Sequence, residues 1–260
     1  MSSEKKPRIC FVTCITGGYD KDLKRPKSQT VPCDFLAYVD DFFETTESNG
    51  WTLLDVRPYS HGIDERDRRP DHRNSLTNNQ HSFNRAKFVK LNLHRLPELS
   101  GYDHVVWLDG SIEVTSPTCA EACLRMADAG HPIVLFAHDF WQTLSEEVRA
   151  SHYKRYTSHF YFGQRQPYQD VDAQHADYVS QGFSDVGLWI TCFVSFDMRK
   201  DVCHRFLDLW YEQNLVHTTQ DQIGFPYVCW KMNVRPYTLP DDVIHGKGTS
   251  RTDFFVKHKH

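Results

Sequence analysis

The sequence predicts an α/β fold in which a mostly parallel, Rossmann-like central sheet is flanked by helices. Apolar runs of strand length alternate with segments of helical periodicity, an alternation typical of a parallel sheet covered on both faces. Several of these runs end in acidic or small residues, as expected where parallel strands open into ligand-binding loops. With 260 residues and no low-complexity linker, the chain suits a single domain over residues 1–260.

The apolar runs give the expected strands in chain order. They are RICFVTCI, CDFLAYV, WTLLDV, HVVWL, PIVLFA and GLWITCFVSF. Helices are expected at 83–96, where apolar residues recur at helical spacing, at 117–129, where Pro117 suits a first turn, and in RKDVCHRFLDLWYEQNL. Residues 59–80 predict a long polar loop, residues 141–180 predict helices with loops, and residues 236–260 predict mostly irregular structure.

The composition argues against several classes of protein. A formal net charge of −4 provides no broad attraction for nucleic acid. No apolar run approaches the roughly 18 residues of a membrane span, and the N-terminus lacks the order of a signal peptide, so we expect a cytoplasmic protein without an integral membrane segment. The eight cysteines form no C-x-x-C pair, which predicts reduced core residues rather than a zinc site or disulfides. The sequence contains neither the H-E-x-x-H motif of zinc enzymes nor the G-x-S-x-G motif of serine hydrolases.

Three expected strand ends carry the residues of greatest chemical interest. A Thr-Gly-Gly follows the first strand, Asp40 and Asp41 follow the second, and Asp109, Gly110 and Ser111 follow HVVWL. Carboxylates in this place can hold a hard cation such as Mn²⁺ or Mg²⁺, whose other ligands come from substrate phosphates. A nucleoside diphosphate-sugar meets that demand, and Gly110 would let the backbone approach it closely. The alternative is that Asp109 caps a turn in which Gly110 and Ser111 are ordinary turn residues.

Other residues are candidates for contacts with the nucleotide. Arg85 and Lys90 lie on the basic side of the helix expected at 83–96 and would reach the phosphates if that helix packs beside the strand ends. The alternative is that these cations are solvated on an exposed face. The candidates for contacts with the base or ribose are Thr16, Gly17, Tyr19 and Asp40. The alternative for Asp40 is that it satisfies backbone groups of the loops.

Three segments together resemble the glycosyltransferases of the GT-A fold. They are CITGGYD, RAKFVKLNLHRLPELSGYDHVVWLDGSIEV and TTQDQIGFPYV. More specifically, they look like the plant turgor-regulation and mucilage-related glycosyltransferase-like family, once catalogued only as a domain of unknown function. The resemblance covers roughly residues 8–235. It implies a metal-assisted transfer of a sugar from a nucleotide-sugar donor, most plausibly a UDP-sugar, to a glycan or other hydroxyl acceptor, and a place in polysaccharide biosynthesis.

The resemblance also implies roles for individual residues. Asp109 would hold the metal and the diphosphate, whereas Ser111 stands where the second carboxylate of an Asp-x-Asp motif would be and is a poorer metal ligand. His245 would return to the metal and Lys247 to the diphosphate; as an alternative, HGKG is a surface turn. Asp221 would orient the sugar or acceptor, or act as a base if the reaction inverts; as an alternative, it stabilises a helix N-terminus.

The sequence leaves two other functions open. One is a non-catalytic module that binds a nucleotide-sugar or glycan, in which Ser111 marks a lost metal site. The other is a hydrolase of lipid amides or glycosides, which would need a water-activating pair of residues and no nucleotide. Calorimetry with UDP and Mn²⁺, followed by an assay of donor hydrolysis, separates the binding module from the transferase.

Overall fold

The computed structural model describes residues 7–18, 20–41, 43, 47–59, 78–151, 171–240, 244–246 and 249–258. Its strands are β1 (Ile9–Ile15), β2 (Cys33–Val39), β3 (Thr52–Asp55), β4 (His104–Leu108), β5 (Ile112–Val114), β6 (Ile133–Ala137), β7 (Trp189–Asp197), β8 (Tyr237–Leu239), β9 (Ile244–Gly246), β10 (Thr249–Arg251) and β11 (Phe255–His258). Its helices are α1 (Asn78–Leu91), α2 (Cys119–Asp128), α3 (Leu144–Ser151), α4 (Val171–Ser180), α5 (Asp201–Val216) and α6 (Asp221–Met232).

The central sheet has the order β3-β2-β1-β4-β7-β6-β8 and is mostly parallel. Its parallel pairs are β1 with β2, β1 with β4, β2 with β3 and β6 with β8. Only β7 runs the other way, antiparallel to both β4 and β6. The prediction of a mostly parallel sheet with flanking helices is therefore confirmed, and β7 brings its first residues to the edge at which β1, β2 and β4 end.

Alternate residues of each central strand enter two separate cores, as a sheet covered on both faces requires. Cys10 and Val12 of β1 pack in a core with Val89 of α1 and Phe206 of α5, and Phe11 packs on the opposite side. The eight cysteines are free, and all except the half-buried Cys33 are buried, which confirms their prediction as reduced core residues. Among the described residues, no helix combines the length and apolar character needed to cross a bilayer.

The C-terminal segment differs from the prediction of mostly irregular structure. Strand β8 pairs with β6 at the edge of the central sheet, and the remaining strands form a second, antiparallel sheet of order β5-β11-β10-β9. Phe255 of β11 stacks against Phe193 of β7 and lies across the ring of Phe136. These short strands lack long apolar runs. Strand β11 pairs with β5, which lies far away in sequence, and β10 and β9 extend the sheet from β11. The pairing with β5 places the second sheet directly after residues 109–111.

Several helix boundaries also differ from the prediction. Helix α1 begins at Asn78, inside the loop expected at 59–80 and before the expected helix start at 83. Helix α1 ends at Leu91 because the side-chain amide of Asn92 donates to the Phe88 carbonyl at 2.9 Å, and a 3-10 turn, Leu93–Arg95, follows. Helix α2 begins at Cys119, so that Pro117 precedes the helix instead of forming its first turn. Residues 60–77 and 152–170 of the two expected loop regions lie outside the described residues.

Candidate active site

Three hydrogen bonds hold Asp109 at the exit of β4, two through its backbone and one through its carboxylate. The backbone N–H donates to the Cys192 carbonyl at 2.9 Å, and the Asp109 carbonyl accepts from Ile112 N–H at 2.9 Å, which closes a turn into β5. The indole N–H of Trp107 donates to Oδ1 at 2.8 Å. The Asp109 side chain remains 39% exposed, so it is both fixed in orientation and open to a ligand.

Gly110 follows Asp109 in a place that has no room for a side chain. A Cβ there would lie 2.7 Å from Oδ2 of Asp20 and 3.0 Å from Cγ1 of Ile15. The loop after β1 therefore packs directly on the Asp109 turn. Sequence reasoning did not select Asp20 as a site residue, although it is the last residue of the GGYD motif and could have been found there.

Asp221 is the first residue of α6 and is buried beneath the same edge. Its side chain is 6% exposed, and Oδ2 accepts a hydrogen bond from the Thr191 hydroxyl at 3.0 Å. Its carbonyl accepts from the indole N–H of Trp210 at 2.7 Å. The residue before it, Gln220, is the N-cap of α6.

Two lysines of α1 connect these carboxylates. Lys87 Nζ lies 2.5 Å from Asp221 Oδ1, and Lys90 forms an ion pair with Asp221 Oδ2. Lys90 Nζ also lies 3.4 Å from Asp109 Oδ1 and 3.3 Å from Thr191 Oγ1. The Lys90 side chain is 2% exposed, so the alternative of a solvated basic face is wrong for this residue. We call Lys87, Lys90, Asp109, Thr191 and Asp221 the lysine–aspartate cluster.

Aromatic rings complete the surroundings of the Lys90 ammonium. Nζ lies 5.6 Å from the ring centre of Trp107 and 5.8 Å from that of Trp210. The electron-rich faces of these rings attract a desolvated cation. The Trp107 indole also donates a hydrogen bond to the Asp109 carboxylate, and the Trp210 indole donates one to the backbone carbonyl of Asp221.

The cluster keeps both carboxylates ionised. Burial alone would raise the pKa of Asp221, but Lys87 and Lys90 outweigh burial and hold that pKa far below its usual range. Burial likewise opposes ionisation of Asp109, but Lys90 and Lys87 lower its pKa. Burial would lower the pKa of the Lys90 ammonium, whereas Asp109 and Asp221 raise it; for Lys87 burial wins and the pKa is lowered. Asp221 is therefore an anion with little tendency to accept a proton.

We expect the Asp221 ion pairs to stabilise the fold over most of the pH range. Because the folded-state pKa of Asp221 is depressed, this contribution is present above the unfolded pKa of about 3.9 and is lost as pH falls through the folded-state pKa. Asp221→Asn should therefore be less stable than the wild type at neutral pH, and the difference should shrink in strong acid. Urea unfolding of both proteins from neutral to acid pH measures it; a difference that does not change with pH contradicts the assignment.

The loop after β1 is ordered by Asp40, the residue that follows β2. Gly17 N–H donates to Asp40 Oδ2 at 2.8 Å, and Gly17 and Gly18 adopt left-handed backbone conformations with φ of 64° and 65°. Thr16 and Asp40 are buried. Asp41, by contrast, pairs with Arg57 at 2.9 Å on an exposed rim. The structure thus brings Thr16, Gly17 and Asp40 together in two adjacent loops at the carboxyl edge of the central sheet.

Arg85 lies on α1 near the ends of the first strands. Burial, together with Asp40, raises the pKa of the Cys14 thiol at the end of β1, and the Arg85 charge opposes this rise. Arg57 lowers the pKa of the Asp55 carboxyl at the end of β3, and the Arg85 charge acts in the same direction. The Arg85 Nε is buried and has no hydrogen-bond partner among the described residues. Arg85 therefore lies beside the ends of β1 and β3, the place from which a cation on this helix could reach a nucleotide phosphate.

The other sequence-predicted candidates are described only in part. Tyr19 and Lys247 lie outside the described residues. His245 belongs to β9, where its backbone pairs with Ser250 of β10, and its side chain is not described. Ser111 is 1% exposed, and its hydroxyl has no hydrogen-bond partner among the described residues. The metal ligands expected besides Asp109 therefore stay predictions.

The donor set around Asp109 does not fit a tightly held Mn²⁺ or Mg²⁺. The described residues contain no group of three or more His, Cys, Asp or Glu side chains that could hold a metal ion. Asp109 Oδ1 already accepts from Trp107 and faces Lys90. A dication on the other oxygen would be repelled by the Lys90 ammonium, which already faces this carboxylate at 3.4 Å. The enclosed Ser111 hydroxyl offers little compensation.

The fold resembles those of solved glycosyltransferases. Mouse xyloside xylosyltransferase 1 superposes with a TM-score of 0.51 over 89% of this chain and 85% of that protein, at 8% sequence identity. The bifunctional glycosyltransferase WbbM aligns with a TM-score of 0.48 at 12% identity, and this chain spans 40% of its length. No protein-family model and no curated protein matches the sequence. At such low identity the likeness establishes the GT-A-like fold, which confirms the predicted fold class.

Proposed function

We propose that this chain is a glycosyltransferase that moves a sugar from a nucleoside diphosphate-sugar, in particular a UDP-sugar, to a hydroxyl group of a glycan or similar acceptor in polysaccharide biosynthesis. The observation that carries the proposal is the position of the Asp109 carboxylate: fixed, ionised and partly exposed at the carboxyl edge of a GT-A-like sheet. The resemblance of three sequence segments to the plant turgor-regulation and mucilage-related family supports it. In this proposal residues 1–260 act as one transferase domain.

The proposal gives each part of the site a task. Asp109 lies against the donor sugar and the leaving diphosphate. Gly110 makes room for the loop after β1 and not, as the sequence suggested, for the ligand, because Asp20 and Ile15 fill the space where its side chain would be. Arg85 lies beside the phosphates, and Asp40 holds the loop that meets the base and ribose. The remaining nucleotide contacts in the proposal are Thr16, Gly17, Tyr19 and Lys247, with His245 beside them. Lys90 is enclosed and acts on the ligand only through Asp109 and Asp221.

The charge pattern suits the bond that is broken. When the bond between the sugar and the diphosphate breaks, the sugar gains positive charge and the diphosphate gains negative charge. Asp109 and Asp221 are ionised and can stabilise the sugar, and neighbouring lysines can stabilise the leaving group. Asp221 is held by two lysines and has a strongly lowered pKa, so its task is to orient hydroxyl groups rather than to remove a proton. No step is assigned to a metal ion.

One observation favours a second candidate, a non-catalytic module that binds a nucleotide-sugar. Ser111 stands in place of a second carboxylate, and its hydroxyl is enclosed instead of open to a ligand. A protein that has lost the metal site would still bind the nucleotide but would not break the sugar–diphosphate bond.

Calorimetry with UDP and an assay of UDP release from UDP-sugars test both candidates. The transferase predicts UDP binding and slow hydrolysis of at least one UDP-sugar, since water can replace the acceptor. UDP binding without hydrolysis of any donor, even with glycan acceptors present, would favour the binding module. No binding of UDP or of other nucleoside diphosphates would remove both candidates.

A further inference from the structure

Packing in the central sheet holds Trp107 in place on the strand that leads to Asp109. Strand β4 lies between β1 and β7, and the partners of Trp107 in this register are Val12 and Val194. Trp107 is 3% exposed and belongs to the core that α1 and α5 cover. Alternate residues of a strand project to the same side, so the indole and the Asp109 side chain can meet, and the indole N–H donates to Oδ1 at 2.8 Å.

The contacts of the Asp109 carboxylate with the described residues all involve one of its two oxygens. Oδ1 accepts from the Trp107 indole and lies 3.4 Å from the Lys90 ammonium. Oδ2 has no hydrogen-bond or ion-pair partner among the described residues. It is also not enclosed, so Oδ2 is the oxygen that a ligand can reach.

The two contacts of Oδ1 differ in how well they fix the direction of the carboxylate. The Lys90 ammonium is shared with Asp221 and Thr191, and its distance of 3.4 Å to Oδ1 is long for a hydrogen bond. A charge at this distance attracts either oxygen. The indole has a single donor whose direction is set by the packing of the ring, and its hydrogen bond is short. Trp107 therefore determines which oxygen turns inward and which turns outward.

We propose that Trp107 is the positioning residue of the Asp109 carboxylate: its indole N–H holds Oδ1 inward so that Oδ2 faces the donor sugar. The inference rests on the proposed function, because it names what directs the carboxylate at that sugar. During transfer the bond between the sugar and the diphosphate oxygen breaks, its electron pair leaves with the diphosphate, and the sugar gains positive charge. A carboxylate that already has its final orientation stabilises this charge without having to turn. Trp107 is enclosed and acts only through Asp109.

Replacing the indole N–H of Trp107 tests the proposal. Benzothienylalanine has nearly the shape of tryptophan but carries sulfur in place of the N–H, so its incorporation at position 107 of the full chain removes the donor and keeps the packing. We expect the transfer rate at saturating UDP-sugar to fall by about tenfold, because the carboxylate can turn away from the sugar. The UDP dissociation constant should change by less than about twofold. The stoichiometry of UDP binding in calorimetry counts the folded protein, so misfolding is not mistaken for a slower reaction.

Trp189 provides the matched control. Its indole N–H donates to Thr238 Oγ1 at 2.8 Å, and the residue is 5% exposed in the same core. The same replacement there removes a buried hydrogen bond of equal length, and we expect the transfer rate to stay within about twofold of the wild type. Equal losses of rate for the replacements at Trp107 and Trp189 would overturn the inference, since the N–H of Trp107 would then have a structural role alone.

The Asp109→Asn variant shows whether Trp107 acts through Asp109. In this variant the negative charge that Trp107 directs is absent, so the replacement at Trp107 should lower the remaining rate by less than about twofold. A further tenfold loss would show that Trp107 acts independently of Asp109 and would overturn the inference. An unchanged rate after replacement at Trp107 would overturn it as well and leave the transferase proposal in place. A wild-type protein that transfers sugar from no UDP-sugar would remove the proposed function and the inference together.

Discussion

Replacing Asp109 by asparagine is expected to lower the rate of sugar transfer by about 100-fold to 1000-fold while the protein stays folded. The amide oxygen can still accept the Trp107 hydrogen bond, and the backbone bonds of the turn do not involve the side chain. What is lost is the negative charge that faces the sugar as the sugar–diphosphate bond breaks. Steady-state transfer from the best UDP-sugar measures the effect, and thermal unfolding of the same sample checks the fold.

A matched control separates this effect from a general loss of surface charge. Asp201→Asn removes a carboxylate whose side chain is 80% exposed and whose recorded ion pair is with Arg205 on the same helix. We expect its transfer rate to equal that of the wild type. Full activity in the Asp109→Asn variant would show that the turn after β4 does not face the reacting sugar, and the proposed function would lose its main support.

The central sheet could be predicted because its strands correspond to local runs of apolar residues in the sequence. The run HVVWL becomes a fully buried strand, and the residues that end it become the Asp109 turn. The first four predicted strands and the alternation of strands with helices follow from such patterns alone. Asp109 and Asp221, two of the residues selected from the sequence, both contact Lys90; their roles in a site stay predictions.

Features that depend on distant partners could not be predicted in this way. The antiparallel direction of β7 is set by its pairing with β4 and β6, and nothing in its own apolar residues indicates it. Strands β9 to β11 are only three or four residues long and mix apolar with polar residues, so the sequence carries no strand pattern that could be recognised without their partners. The burial of Lys90 also depends on context, because a lysine that projects from a helix is usually solvated. Here two carboxylates and two indole rings replace water around it.

The second large effect concerns stability and is expected for Lys90→Met. Methionine matches much of the lysine chain but removes the cation, so Asp109 loses its nearest positive charge and Asp221 keeps only Lys87. Removing one partner of a buried ion pair commonly costs about 3–5 kcal/mol, because the remaining charge is left without compensation. We therefore expect the free energy of unfolding to fall by about that amount, as measured by urea denaturation at neutral pH.

Companion variants show whether the loss comes from charge or from packing. Lys87→Met should cost less, because Lys87 is 17% exposed and because Asp221 then retains Lys90. The double variant Lys90→Met with Asp221→Asn should recover part of the stability, since the neutral amide no longer needs a buried cation. If the double variant lost the sum of the two single effects, the side chains would act independently, and the charge-balanced cluster would not be the unit that holds this edge of the sheet together.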